Sequence, residues 1–241
     1  MKIVVGDKFT DFIQETGSIG FSALHSHPEA FRGSPVVIGQ GLSPHELDAL
    51  RRISDQYGIE LLQGETVADC SITHKHRLEN CVISVPKQID EHIYEAQLIF
   101  DDENELLQDH ITGLHVQGML MVEACRQMFV SVAMDYFSKH VFAENRYGAI
   151  NRMDTKFESY VFPIPAVLRY TRTELIEDPE RDCISFSADI EVFQAGRRVL
   201  LMQMKHTYYK MEKLGPVEQH KARSACKRLI EAQTHTAQVL S

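Results

Sequence analysis

Tryptophan is absent from this chain, no two of its cysteines form a C-x-x-C pair, and no apolar run approaches the length that spans a bilayer. The five cysteines, Cys70, Cys81, Cys125, Cys183 and Cys226, are scattered and odd in number. That usage reads as a reduced, cytoplasmic protein rather than a disulfide scaffold or a thiolate metal site. Positive charge is also scarce. Lys and Arg number 25 against 34 Asp and Glu, a formal net charge of -9. Such a balance argues against a general nucleic-acid binder and gives no pull toward anionic membranes. An acidic carrier-protein partner needs only a local basic patch, which net charge does not exclude. The opening "MKIVVGDKFTDF" turns polar after a few apolar residues, unlike a signal peptide. What remains is an ordinary globular composition, 44% hydrophobic and 24% charged over 241 residues, enough for one good core plus extensions.

Residues 1–64 read as a small α/β unit. "KIVV", "SPVVIG" and "IELLQ" are short strand-like runs, and "TDFIQET" suits a helix. "SPHELDALRRISDQYG" carries the strongest local signal. Ser43 can cap the helix, Pro44 fits its first position, Glu46 completes a capping box and Gly58 stops it. Residues 65–212 change character. "CVISVP" (81–86) and "HIYEAQLIF" (92–100) suggest a hairpin, and "DDENELLQDH" a polar connection. An apolar helix is expected from about Val116 to Phe137. Four strands follow, the clearest being "CISFSADIEVF", in which Ile184, Phe186, Ala188, Ile190 and Val192 alternate with polar residues. "EDPERD" and "QAGRR" mark turns. Residues 213–241 read as a helical tail with a weak apolar stripe.

A helix apolar all round must be buried on most sides. The simplest architecture wraps an antiparallel sheet around it: an α+β hotdog fold with a small N-terminal α/β extension.

The chemistry concentrates in "DHITGLHVQGMLMVEACRQM" (109–128). His110, Gly113, His115 and Gly118 precede the helix. Within it Glu123, Gln127, Ser131 and Asp135 recur every fourth residue as one slowly drifting stripe. A buried carboxylate needs partners. In the structural reading, Glu123 ionises, pairs with Arg126 and accepts from Gln127. In the catalytic reading, His110 and Glu123 transfer protons, while glycines and free N–H groups at the helix start, near Gly118 and Met119, hold an oxyanion.

That stretch resembles the hotdog β-hydroxyacyl-carrier-protein dehydratases, whose pattern is D-H-F-P-G, a short spacer, P-G, then an apolar run ending E-A-x-x-Q. It resembles the A-factor biosynthesis hotdog family more closely, through H-V-x-G-M-L and E-A-x-R-Q. "THKHRLENCVIS" (73–84) is similar to the segment that opens that family's domain. The resemblance spans roughly residues 67 to 210. It implies that His110 and Glu123 are catalytic and that Gly113 and Gly118 are motif glycines. It also implies a homodimer. Gln117 stands where the dehydratase pattern has proline, and the Gly113–Gly118 spacer is one residue shorter.

The implied chemistry moves a β-ketoacyl group from an acyl-carrier-protein or CoA thioester to dihydroxyacetone phosphate, with His115, Arg126 and Gln127 as further pocket groups. Dehydration of a 3-hydroxyacyl thioester and a non-catalytic acyl-binding scaffold stay open as alternatives. No metal or other cofactor is expected. "HSH" (25–27) and "HKH" (74–76) lack a third ligand with convincing spacing. Cys125, turned about 200° from Glu123, reads as core. Gly39 and Gly41 read as a βα turn before a phosphate cradle. Arg197 and Arg198 read as solvated at a hairpin tip.

Overall fold

The computed structural model describes residues 1–108, 113–137 and 146–239, the last six of these by backbone alone. The N-terminal unit runs β1 (Lys2–Val5), α1 (Thr10–Thr16), β2 (Ile19–Gly20), α2 (Phe21–Ser26), β3 (Pro35–Ile38), α3 (Pro44–Tyr57) and β4 (Glu60–Leu62). Its sheet has the order β2-β1-β3-β4 and is parallel throughout. β2 leaves no periodic trace in the sequence because it is two residues long. α3 begins as its residues dictate. The Ser43 side chain accepts from the Glu46 amide while the Glu46 carboxylate accepts from the Ser43 amide, and Gly58 ends the helix at φ 66°. Leu50 and Ala49 are buried, and Leu50 joins a cluster that includes Val4, Leu24 and Val36.

The second unit contains α4 (Cys70–Thr73), β5 (Lys87–Asp90), β6 (Ile93–Gln97), α5 (Glu105–Gln108), α6 (Gly118–Tyr136), β7 (Arg146–Phe157), β8 (Ala166–Asp178), β9 (Cys183–Gln194) and β10 (Arg197–Lys210). A final helix, α7 (Met211–Val239), leaves directly from β10. The sheet is antiparallel, in the order β5-β6-β8-β9-β10-β7. It curls around α6, which buries Leu120, Met121, Ala124, Cys125, Met128, Phe129, Val132 and Ala133 against Tyr94, Leu168, Tyr170, Phe186, Ile190 and Met202. Burying one of the larger aliphatic or aromatic side chains among these stabilises the fold by about 1.5–3 kcal/mol. This is the hotdog arrangement expected from the apolar helix and the alternating strands.

Three local expectations need correction. The first hairpin pairs Lys87–Asp90, not 81–86, with Ile93–Gln97. Residues 82–84 do meet 97–99 antiparallel, through the Ile83–Leu98 bridge and the Ser84–Gln97 and Ile99–Val82 backbone bonds, but the pairing stops there because the Val82 amide donates to the Gln127 side chain. The polar connection contains a short helix, α5. The tail helix starts at Met211, ahead of Pro216, and runs on from the last strand.

The two units share a tightly packed junction. Strand order reverses between β1 and β3, the place where open α/β sheets leave a crevice at their carboxyl ends. Here the crevice is filled. Gly41 donates its amide to the Phe100 carbonyl at 2.9 Å, Gln40 donates its own to the Pro163 carbonyl at 3.0 Å, and the Gln40 carboxamide bonds Leu98 and Phe100. A Cβ at Gly39 would lie 2.5 Å from the Pro163 carbonyl, so only glycine allows the approach. Phe9 and Phe12 then enter the core around α6.

Candidate functional site at the start of the buried helix

Gln117 caps α6 through its backbone only, and its Oε1 is buried without a hydrogen-bond partner among the described residues. Gly118 follows. It lines a cleft of about 520 Å³ with His115, Val116, Met121, Phe157, Glu158, Ser159, Tyr160 and Val161. A Cβ on Gly118 would meet the Phe157 ring at 3.3 Å, so the missing side chain lets β7 close on the helix start. The first-turn N–H groups of a helix have no partner within the helix, and no side chain caps those of α6. His115 packs on Tyr160 with ring centroids 4.9 Å apart, and the Val116 amide donates to the Val161 carbonyl at 2.7 Å. Met119 is largely exposed. Gly113 has a different neighbour: its carbonyl accepts from the Phe12 amide, and a Cβ there would press on Thr10 and Lys8. That glycine holds the N-terminal unit.

One turn inside the helix the carboxylate is saturated. Arg126 donates Nε to Glu123 Oε2 at 2.8 Å and Nη2 to Oε1 at 2.7 Å. Lys75 Nζ reaches Oε1 at 2.7 Å, and Gln127 Nε2 donates to the same oxygen at 2.9 Å. Burial opposes ionisation of Glu123, but these donors, Arg126 first, outweigh it and hold the carboxyl at about 2. The same helix face grips the segment that begins at α4. Arg126 Nη2 donates to the Thr73 carbonyl, Gln127 Nε2 to the Asn80 carbonyl, and Ser131 Oγ to the Ile72 carbonyl. The four-residue stripe is thus a polar seam, and its last member, Asp135, is exposed.

Across the interior, β10 turns His206 and Tyr208 toward the helix. They are 4% and 5% exposed, and neither ring nitrogen of His206 nor the Tyr208 hydroxyl has a hydrogen-bond partner among the described residues. His206 packs on Phe129 at 4.5 Å, and Phe186 meets Tyr208 edge-on at 5.7 Å. Burial, helped by the charge of Arg126, lowers the imidazole to about 4, so it is neutral near pH 7. Burial also raises the Tyr208 phenol, against a smaller opposing effect of Arg126. Neither residue stood out in the sequence. The available signal was a histidine and a tyrosine at the inward positions after Met202 and Met204 in "MQMKHTYY".

Of the expected site residues, the structure joins Glu123, Arg126 and Gln127 in the seam and sets Gly118, His115 and Met119 at the cleft. His110 lies outside the described residues. Cys125 is wholly buried, and burial raises its thiol above the usual range. Arg198 pairs with Glu158 and Glu191. His25, His27, His74 and His76 are exposed, and no group of three potential metal ligands occurs among the described residues.

No curated protein matches the chain. Among solved structures, a putative thioesterase from Shewanella oneidensis is similar at 7% identity over 68% of this chain and 96% of its own, with a TM-score of 0.41. A mutant thioesterase from Pseudomonas aeruginosa is similar at 11% identity over 70% and 95%, with a TM-score of 0.40. A conserved protein from the same organism gives 14%, 51% and 86%, with a TM-score of 0.36. The A-factor biosynthesis hotdog domain matches residues 62–209, more than half of the chain. That span holds the helix-wrapping sheet and the polar seam described above, and the chain belongs to the A-factor biosynthesis hotdog family.

Proposed function

We propose that the protein is an acyltransferase acting on acyl thioesters of a carrier protein or CoA. The observation that carries this reading is the uncapped start of α6, where Gly118 opens the backbone to the cleft beside His115 and Tyr160. An acceptor hydroxyl attacks the thioester carbonyl, and His110 takes its proton. The Gly118 and Met119 amides stabilise the tetrahedral oxyanion, and the carbonyl re-forms as the thiolate leaves and takes up the proton. Dihydroxyacetone phosphate is the acceptor that the family resemblance implies. Arg126 is a weak candidate for its phosphate, because its Nε and Nη2 already serve Glu123 and Thr73.

The state of Glu123 separates this reaction from dehydration. A carboxyl held at about 2 is ionised near neutrality and has no proton to give a departing hydroxyl. It suits a reaction in which it stays anionic and positions Arg126 and Lys75. The same saturation favours, as a second reading, a hotdog that binds an acyl group without turning it over.

The site belongs to a homodimer in this proposal. β7 is an edge strand bonded only to β10 among the described residues, and it exposes Tyr147, Ile150 and Phe157. A long, apolar free edge invites another strand. Pairing there places the cleft, which Phe157 lines, beside the second copy.

The deciding experiment incubates the protein with acyl-carrier-protein thioesters, with and without dihydroxyacetone phosphate. Acceptor-dependent ester that is lost in Gly118→Val supports transfer. Enoyl product from a 3-hydroxyacyl thioester overturns it in favour of dehydration. Binding without any product supports the second reading.

A further inference from the structure

The scattered cysteines conceal one close pair. Cys70, half-exposed at the start of α4, and Cys81, buried, are eleven residues apart in sequence, yet their sulfurs lie 3.7 Å apart. Thr73 Oγ1 sits 3.0 Å from the Cys81 sulfur. The segment between the two thiols is the one that α6 grips. It supplies Lys75 to Glu123, the Ile72 and Thr73 carbonyls to Ser131 and Arg126, and the Asn80 carbonyl to Gln127. Those bonds hold both ends of the loop in place, so the two sulfurs stay 3.7 Å apart, a short closing step from the roughly 2.0 Å of a disulfide. The other three cysteines have no such neighbour among the described residues: Cys125 and Cys183 are buried apart, and Cys226 is exposed on α7.

We propose that Cys70 and Cys81 form an oxidisable dithiol, converted to a disulfide by a peroxide. Cys70 reacts first because solvent reaches it, while burial pushes the Cys81 thiol up to about 11 and keeps it protonated until its partner is oxidised. The Cys70 thiolate attacks one peroxide oxygen. The O–O bond breaks, leaving a sulfenic acid on Cys70 and hydroxide, which takes up the proton shed by the thiol to give water. The Cys81 sulfur then attacks the Cys70 sulfur, the S–O bond breaks, and the departing hydroxide leaves as a second water with the Cys81 proton. Two thiols lose two electrons and one hydrogen peroxide becomes two waters. The cross-link closes the loop that carries Lys75.

The test treats the folded full-length chain with hydrogen peroxide, blocks the remaining thiols, digests it and maps cysteines by mass spectrometry. The expected product is a Cys70–Cys81 linked peptide, lighter by two hydrogens and released by dithiothreitol. The wild-type map alone decides, so the outcome does not depend on a variant folding. Cys70→Ser is expected to leave Cys81 an unmodified thiol under the same treatment. Accumulation of sulfinic acid on Cys70 beside a free Cys81, or a link that forms only after denaturation, overturns the proposal.

Discussion

Arg126 acts on polar groups of two elements that the fold treats in opposite ways. On the α6 seam, Glu123 is surrounded by donors from Arg126, Lys75 and Gln127. On β10, His206 and Tyr208 feel the same cation and are more deeply buried, yet their polar atoms have no partner among the described residues. A satisfied buried network fixes one arrangement of the chain, whereas an unsatisfied buried group costs about 1–3 kcal/mol and is retained only where it has a use or a bound water. The contrast teaches that the carboxylate singled out by its motif is fully engaged by donors, while the groups with spare hydrogen-bonding capacity lie on a strand that no motif marks.

The sharpest way to break that contrast is at Glu123. Glu123→Leu leaves Arg126 and Lys75 facing each other without their anion, and the expected loss is about 3–4 kcal/mol of unfolding free energy, measured by urea titration. Glu123→Gln retains some acceptor capacity and is expected to lose less. A Glu123→Gln protein as stable as wild type but devoid of activity reverses the assignment and makes the carboxylate catalytic.

Acid separates Glu123 from His206 by window. The Glu123 carboxyl is depressed to about 2 from its ordinary value of 4.5. Its contribution is therefore complete above about pH 5 and is lost as pH falls toward 2. His206 is depressed to about 4 from 6.5, so the folded state resists protonation that the unfolded chain accepts. That penalty is absent above about pH 6.5 and grows as pH falls to 4, to about 2–3 kcal/mol. Stability of wild type is expected to decline in two steps. His206→Phe removes the upper step and Glu123→Gln the lower one. A single step below pH 4 in wild type shows that His206 is hydrated or partnered in solution.

Legibility in the sequence follows the same division. Period-2 alternation placed β9 because its inward residues face one core, and the capping box placed α3 because its signal is local. The four-residue stripe on α6 showed that Glu123, Gln127 and Ser131 share a face. What that face touches was hidden, since Thr73, Lys75 and Asn80 lie some fifty residues away and have no periodicity of their own. The Cys70–Cys81 approach was hidden for a related reason: only the docked loop brings them together. His206 reads as one polar residue in a buried strand, because the lack of a hydrogen-bond partner is a property of packing.

At His206 itself, replacement by Phe removes two unpartnered nitrogens beside Phe129. The expected change at pH 7.5 is neutral to stabilising by about 1 kcal/mol, opposite in sign to a core deletion. A clear destabilisation at that pH indicates a water bound between His206 and Tyr208, and a water-resolving crystal structure checks it directly.

Tyr208→Phe is the mildest change and the finest test. It deletes a single oxygen and keeps the ring that packs against Phe186 and against Gly148, where a Cβ would lie 2.7 Å from Tyr208 Cε1. Thermal stability is expected to move by less than about 1 kcal/mol. If the interior beside α6 receives the acyl group, the phenol and the neutral imidazole are the groups able to hydrogen-bond an oxygen carried on it. Tyr208→Phe then weakens binding of an oxygen-substituted acyl thioester by about 1 kcal/mol, roughly fivefold, and leaves an unsubstituted chain of equal length unaffected. Equal effects on both ligands, measured by calorimetric titration, show that Tyr208 only shapes the core and that the contrast with Glu123 carries no functional meaning.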